Sequence, residues 1–425
     1  MRFPLQVSLT ARNEKHCRNV HLASESSATR APLHLETEVV ADEPDFDRLA
    51  DEWDALLEHS AQRVFFLRHA WTRSWWRNLA PTGSVLHIVC CRDGSGRLLG
   101  IAPLYRRRHR IVGVPYLREL ALIGTGIEFK SSEYLDVIAH RGHERAVAEA
   151  IAENLQRSKD WDRIWLHELP AESRMLPHLT KALLGLKVRE GGDVAPYIDT
   201  SVSWDDYKRS LGRSMRRNVE YYARRLFKLR ACEFRRVDTR PEALATITVL
   251  ARLHQARWRA AGFPGSFSNS SSSALLEDAV REEFDSGRVR LWTLSIDGEV
   301  QGALIGFLDN HVLHYFQKGF NPAFTKEDIG TALLSLCIRD CFDDPQIHAF
   351  DFMRGGAPYK RLWAREERAS ETCVFEQRNL RTRLHAARLG IRESLTRVYR
   401  KWTPVTLRAA RRDLLKRMQL GLNDP

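Results

Sequence analysis

The sequence predicts an α/β (α+β) protein made of two tandem domains of one design. Each has a mixed, mainly antiparallel sheet flanked by helices, and a basic helical tail follows the second. Three observations carry this. Strand-like and helix-like patterns alternate along 425 residues, a length that allows two or three domains. IVCCRDGSGRLLGIAPLY (88–105) matches LWTLSIDGEVQGALIGFL (291–308): a strand, a tight turn at Asp-Gly, and a strand with a small residue in mid-run. Each is followed by a third strand, a helix and an apolar strand ending in an acid, WLHEL in one half and AFDF in the other. The alternative is chance agreement between two hairpins.

The elements follow in order. Residues 1–32 are basic and polar and have no continuous apolar core, so they read as a flexible leader and not a secretory signal. The first domain, 33–198, opens with a strand over 33–40 and helices over 46–59 and 66–79, the latter rich in aromatics. Strands at 85–91, 97–107 and 117–126 come next, then YLDVI, a helix over 142–157 and a buried strand at 163–169. The second domain, 199–376, opens with a strongly basic helical stretch, 203–229, and the strand CEFRRV. The helix predicted over 241–262 has proline in its first turn and glycine past its end. Three antiparallel strands (289–296, 299–308, 311–320), a helix over 328–342 and a strand at 347–352 complete it. In the tail, 377–425, Leu380, Leu384, Ile391, Leu395 and Val398 share one helical side until Pro404, after which Leu407, Leu414 and Met418 resume the pattern.

Composition excludes some classes. No apolar run approaches the roughly 18 residues of a membrane span. The formal charge of +12 points to anionic partners, but thirteen Arg or Lys against Glu393 and Asp413 fall between 378 and 417, which leaves the body near neutral. Seven cysteines without a CxxC spacing read as reduced, buried thiols of a cytoplasmic protein, and no metal site is expected.

Two segments carry candidate chemistry. In YFQKGFNPAFTKEDIGTALLS (315–335) a strand ends at Gly319, the chain turns at Asn321-Pro322, and a helix starts near Lys326–Asp328. Unpaired N–H groups at such a helix start suit a pyrophosphate. Gly330 would let a ligand approach, and Lys318 and Lys326 would add charge. A capped helix after a turn is the bland alternative. DFMRGGAPYKRLWA (351–364) sets Asp351, Arg354, Tyr359 and Lys360 around two glycines.

Three antiparallel strands, a glycine-bearing loop, a helix and a further strand resemble the core of the GNAT acyl-CoA N-acyltransferase superfamily. FFLRHAWTRSWWRNL, APLYRRR, LALIGTG, LHQARWRAAGFPGSF, YFQKGFNPAF and DFMRGGAPYKRLWA are similar to its CelD- or BcsL-like branch, over roughly residues 45 to 375. That branch is linked with bacterial cellulose and exopolysaccharide production. Fem-type aminoacyl transferases share the two-domain layout, with an acid-ended strand, a glycine and a hydrophobic–lysine pair similar to Asp351, Gly355 and Tyr359-Lys360. AFTKEDIG is poorer in glycine and arginine than the usual GNAT pyrophosphate loop.

The resemblance implies acetyl-CoA, or another acyl-CoA, as co-substrate, held by Gln317, Lys318, Gly319, Phe320, Lys326, Gly330 and Thr331. A backbone N–H where strands part, within His314–Gly319, would hold the oxyanion. Tyr359 either protonates the leaving thiolate or packs against Trp363. Lys360 either stabilises negative charge or is solvated, and Asp351 orients Arg354 or Lys360 or forms a plain ion pair. His254 is a candidate base or a core histidine. Arg354, Trp258, Gly265 and Phe267 are the candidate substrate contacts, and Ser268–Ser273 reads as a linker ending in a helix cap.

The implied acceptor is a small molecule or glycan precursor with an amine or hydroxyl. The basic tail helix would touch the inner face of a membrane, a partner or its own domain. Two rivals remain. One is aminoacyl-tRNA-dependent transfer, for which the basic stretch 203–229 with its interleaved tyrosines could bind nucleic acid. The other is a non-catalytic accessory role in a polysaccharide synthase.

Overall fold

The computed structural model describes residues 34–126, 131–158, 160–183, 185–355 and 357–402. The leader and the tail beyond 402 lie outside these residues, and so do the readings made of them.

The described strands are β1 (Glu36–Val40), β2 (Val85–Arg92), β3 (Leu98–Ile111), β4 (Val114–Leu122), β5 (Ile138–Ala139), β6 (Arg163–Pro170), β7 (Leu186–Asp199), β8 (Cys232–Arg236), β9 (Val289–Ile296), β10 (Glu299–Asp309), β11 (Val312–Phe320), β12 (Ala349–Asp351) and β13 (Glu366–Glu376). They form one sheet in the order β1-β2-β3-β4-β6-β13-β7-β12-β11-β10-β9-β8, with β5 on β3. Neighbours are antiparallel except β4 with β6 and β11 with β12.

The order is palindromic. β1-β2-β3-β4-β6 from one half mirrors β8-β9-β10-β11-β12 from the other, and the matched hairpins β2–β3 and β9–β10 take equivalent places. The centre is an exchange: β7, which follows the first set in the chain, bonds to β12, while β13, which follows the second, bonds to β6. β7 and β13 pair with each other from Leu186↔Glu376 to Tyr197↔Glu366.

The sequence reading needs several corrections. Ser268–Ser273 is not a linker, because Asn269 caps helix Ser270–Glu283, and the helix expected over 66–79 starts at His69. The long strands β7 and β13 were not anticipated. The stretch 203–229 is three short helices, Trp204–Ser210, Arg213–Asn218 and Tyr221–Leu229, because Leu211 and Gly212 adopt extended backbone between the first two. The helix expected over 46–59 breaks at Leu49 into Glu43–Arg48 and Ala50–Glu58.

Two core clusters hold the sheet. One spans both faces of the first half and continues under helices His69–Leu79, Arg240–Ala260 and Ser270–Glu283, with Trp53, Trp71, Trp75, Phe65 and Phe307 buried in it. In the other, helix Ile329–Asp343 and the short basic helices cover Trp292, Leu304, Leu313 and Phe350. Rings join the two halves: Phe65 stacks on Phe307 at 4.3 Å, and Trp71 meets Phe307 edge-on at 5.0 Å. Such pairs add about 0.5–1.5 kcal/mol each beyond burial. Beside them Asp309, at the end of β10, accepts from Arg68 Nε at 2.5 Å and Arg63 Nε at 2.8 Å, and Arg68 Nη2 also reaches Glu58 at 2.7 Å.

Candidate active site

β11 is held along its length by β10 but bonds to β12 only over Val312–His314. The parallel strands therefore part after His314 and Asp351. Just beyond, Phe316 is an extra residue in β11: Gly306 faces Tyr315 and Ile305 faces Gln317. Such a bulge bends the strand and re-aims its side chains. Beyond His314 the edge of β11 is no longer bonded to β12, in the stretch where the family resemblance implies an oxyanion donor.

Successive residues of this edge face opposite sides of the sheet. On the side of helix Ile329–Asp343, Lys318 and Phe320 face a cleft of about 500 Å³, walled also by Arg257, Gly330, Thr331, Tyr359 and Trp363. On the other side, Gln317 borders a cleft of about 880 Å³ with Asn78, Thr82, Trp258, Phe263 and Gly265.

In the first cleft, Lys318 is buried and its Nζ donates to the Gly330 carbonyl at 2.8 Å. Burial, and then the nearby Arg257 guanidinium, pull its ammonium down to about 7. Arg257 lies 5.0 Å over the Phe320 ring and 5.4 Å over Trp258, and no carboxylate among the described residues pairs with it. The Tyr315 and Tyr359 hydroxyls interact, and burial raises the pKa of both. Tyr359 thus keeps its proton at neutral pH. It is 40% exposed, so a ligand can reach it.

The glycines here make room for protein. A Cβ on Gly330 would stand 2.5 Å from the Phe320 ring, and one on Gly319 would stand 2.7 Å from both His254 N and Leu250 O on the neighbouring helix. The second clash is with backbone and cannot be relieved by a rotamer. Gly319→Ala is therefore expected to cost about 1–3 kcal/mol, read as a lowered urea midpoint; an unchanged midpoint would contradict this packing.

Other residues singled out by sequence fall elsewhere. His254 is buried, and its Nε2 accepts the Trp258 indole N–H at 2.8 Å. Burial lowers its pKa to about 4, so it is neutral near pH 7 and positions Trp258. Phe267 is buried edge-on against His254 at 5.0 Å. Lys326 is exposed on the turn before the helix, outside the cleft wall.

Asp351 and Arg354 bond to the first half of the chain, and Lys360 to the loop that follows Asp351. Asp351 accepts from the Tyr134 hydroxyl at 2.9 Å and Arg368 Nη1 at 2.5 Å; it orients neither Arg354 nor Lys360. Arg354 spends its fork on Glu133 and Glu168, which leaves it no free face for an anionic substrate. Lys360 Nζ donates to the Met353 and Arg354 carbonyls at 2.9 and 2.7 Å, clamping the loop at Gly355 and standing in neither cleft. The partners Tyr134, Glu133 and Glu168 were not foreseen, nor was Arg257, although HQARWR placed it beside Trp258.

The first cleft suits an acyl-CoA in its donor set. Arg257, Lys318, Thr325 and Thr331 can meet phosphate oxygens, while Phe320, Leu334, Leu362 and Trp363 offer apolar wall for the thioester arm. Asp328, the one carboxylate among its described wall residues, stands at the helix start in a left-handed conformation (φ 56°) and opposes an anion there. The charge that would bind a donor therefore comes from Lys318 and Arg257, set deeper than the loop AFTKEDIG.

Known proteins share this architecture. Residues 213–361 match the family described as the acetyltransferase (GNAT) domain. The structure of FemX superposes with a TM-score of 0.54 at 11% identity, over 80% of this chain and 96% of its own. A conserved protein of unknown function from Bacteroides thetaiotaomicron VPI-5482 gives 0.53 at 10% identity, over 80% and 100%. L-PGS from Bacillus licheniformis gives 0.50 at 11% identity, over 81% and 96%. No curated protein matches the sequence. The chain therefore has a GNAT-like mixed α/β fold, and its residues 213–361 are similar to the acetyltransferase (GNAT) domain.

Proposed function

We propose that the protein is an acyltransferase that moves an acyl group, acetyl in the simplest case, from coenzyme A to an amine or hydroxyl. The carrying observation is the parting of β11 from β12 between two clefts, with Lys318 buried in one and Gln317 bordering the other. Coenzyme A supplies the acyl group as an activated thioester. Lys318 and Arg257 hold its phosphates, and freed N–H groups of β11 face the carbonyl oxygen as charge develops on it. Tyr359, backed by Tyr315, gives its proton to the departing sulfur.

The acceptor enters the other cleft. Its described wall carries two aromatic rings, Trp258 and Phe263, with amides and hydroxyls such as Asn78, Thr82, Ser266 and Gln317, and no charged side chain. Aromatic faces beside neutral hydrogen-bonding groups fit an uncharged, hydroxyl-rich acceptor such as a sugar, the kind of molecule exopolysaccharide assembly handles. With no imidazole or carboxylate on that wall, the acceptor's proton leaves to the water of the open cleft.

One observation favours a second reading. The short helices that contribute Met215, Asn218 and Tyr222 to the donor cleft also carry exposed Arg213, Arg217, Arg224 and Arg225. A polyanionic donor, an aminoacyl-tRNA, would meet those arginines.

Calorimetry separates the two. Acetyl-CoA is expected to bind the full chain, with Arg257→Ala weakening it by roughly 10-fold or more, as loss of a charge-assisted contact does. Tightly salt-dependent binding of tRNA with no heat from acetyl-CoA would replace the coenzyme reading with the second.

A further inference from the structure

Two elements far apart in sequence meet at one side of the sheet with aliphatic side chains in water. The hairpin of β3 and β4 ends in a tip where Val112 is 99% exposed, Val114 66% and Ile111 41%. Val112 adopts φ 47°, an uncommon conformation for a β-branched residue. Arg108 and Arg110 beside it are exposed.

The helix Leu380–Trp402 leans on the flank of the same hairpin. His385 Nδ1 shares a hydrogen bond with the Tyr116 hydroxyl at 2.8 Å, and the Arg388 guanidinium lies 5.7 Å over the Tyr116 ring. Thr382 is buried on the same side. Opposite that side, Leu380 (72% exposed), Leu384 (50%) and Ile391 (62%) line up with Ala387 at helical spacing. Arg383 and Arg388 flank the row.

Charge identifies the occupant. Residues 106–118 and 378–391 contain nine arginines and no carboxylate. Arg106, Arg107, Arg118 and Arg381 pair with carboxylates of the body. Arg108, Arg110, Arg378, Arg383 and Arg388 pair with none among the described residues. A protein partner of ordinary composition would bring a broad apolar surface, whereas this face offers separate aliphatic points between guanidinium groups that no described carboxylate neutralises. That is the chemistry of a bilayer interface: acyl chains receive the aliphatic points and headgroup phosphates meet the arginines. We infer that the β3–β4 tip and the Leu380–Ile391 face together dock on a membrane surface rich in anionic lipid. The inference does not depend on the transfer reaction.

The test is sedimentation of the full chain with vesicles of equimolar phosphatidylcholine and phosphatidylglycerol, and with phosphatidylcholine alone. Binding is expected only to the anionic vesicles, roughly tenfold weaker in Val112→Asp and in Leu384→Glu. Both positions are exposed, so the melting temperature should stay at the wild-type value. Arg224→Gln, on the basic helices elsewhere, should bind as wild type. Equal binding to both vesicles, or binding that neither Val112→Asp nor Leu384→Glu reduces, would overturn the inference. So would a dimer in sedimentation velocity that Leu384→Glu dissociates, since a second copy would then cover the face.

Discussion

Lys318→Met is expected to weaken acetyl-CoA binding by roughly 10- to 100-fold, the weight of a charge-assisted contact made inside the protein. The pH profile carries the sharper signature. The ammonium is pulled down to about 7 by burial and by Arg257, so it is charged below that pH and neutral above it. An anionic donor is held by the charged form. Affinity in the wild type should therefore fall as pH rises through about 7, and the methionine variant should be flat over the same range. Calorimetry across pH 6 to about 8.5 checks both. An affinity in Lys318→Met equal to wild type at pH 6 would remove the lysine from the donor site. His254 cannot mimic the effect, because its own titration lies near 4.

The second large effect concerns stability. Asp309 is fully buried, and burial opposes its charge, yet Arg68 and Arg63 hold its carboxyl below the usual range. Arg68 is itself 1% exposed, so Asp309→Ala leaves a buried guanidinium short of its closest counter-charge. A loss of about 3–5 kcal/mol is expected from breaking a buried pair in this way. Glu367→Ala, which removes the partner of the exposed Arg361, should cost less than about 1 kcal/mol. Urea unfolding of the two variants decides the matter: similar midpoints would mean that the Arg68–Asp309 contact does not tie segment 58–68 to the end of β10.

What the sequence disclosed was mainly local. The paired hairpins were legible because Asp-Gly turns and alternation act over a few residues, and helix Arg240–Ala260 because Pro241 and Gly262 mark its ends. The parting of the strands near Lys318 was implied by the family resemblance and not by the residues themselves. What stayed hidden depends on distant partners. β7 reads poorly as a strand, since EGGDVAP interrupts it with glycines and a proline, and its form is set by β13, some 180 residues away. Asp351, Arg354 and Lys360 looked like site residues because a charged cluster near glycines suits catalysis and loop-anchoring equally well. Only Tyr134, Glu133 and Arg368, supplied from elsewhere in the chain, decide between the two.

The exchange of β7 and β13 has a consequence during synthesis on the ribosome. When residue 199 has emerged, every strand of the first set exists, yet the outer edge of β6 stays bare until residues 366–376 follow. A polypeptide cut near residue 200 would carry that bare edge permanently, and such edges recruit other chains. Halves of this protein expressed separately should therefore be insoluble or cling to one another, and co-expressing them should restore the shared seam.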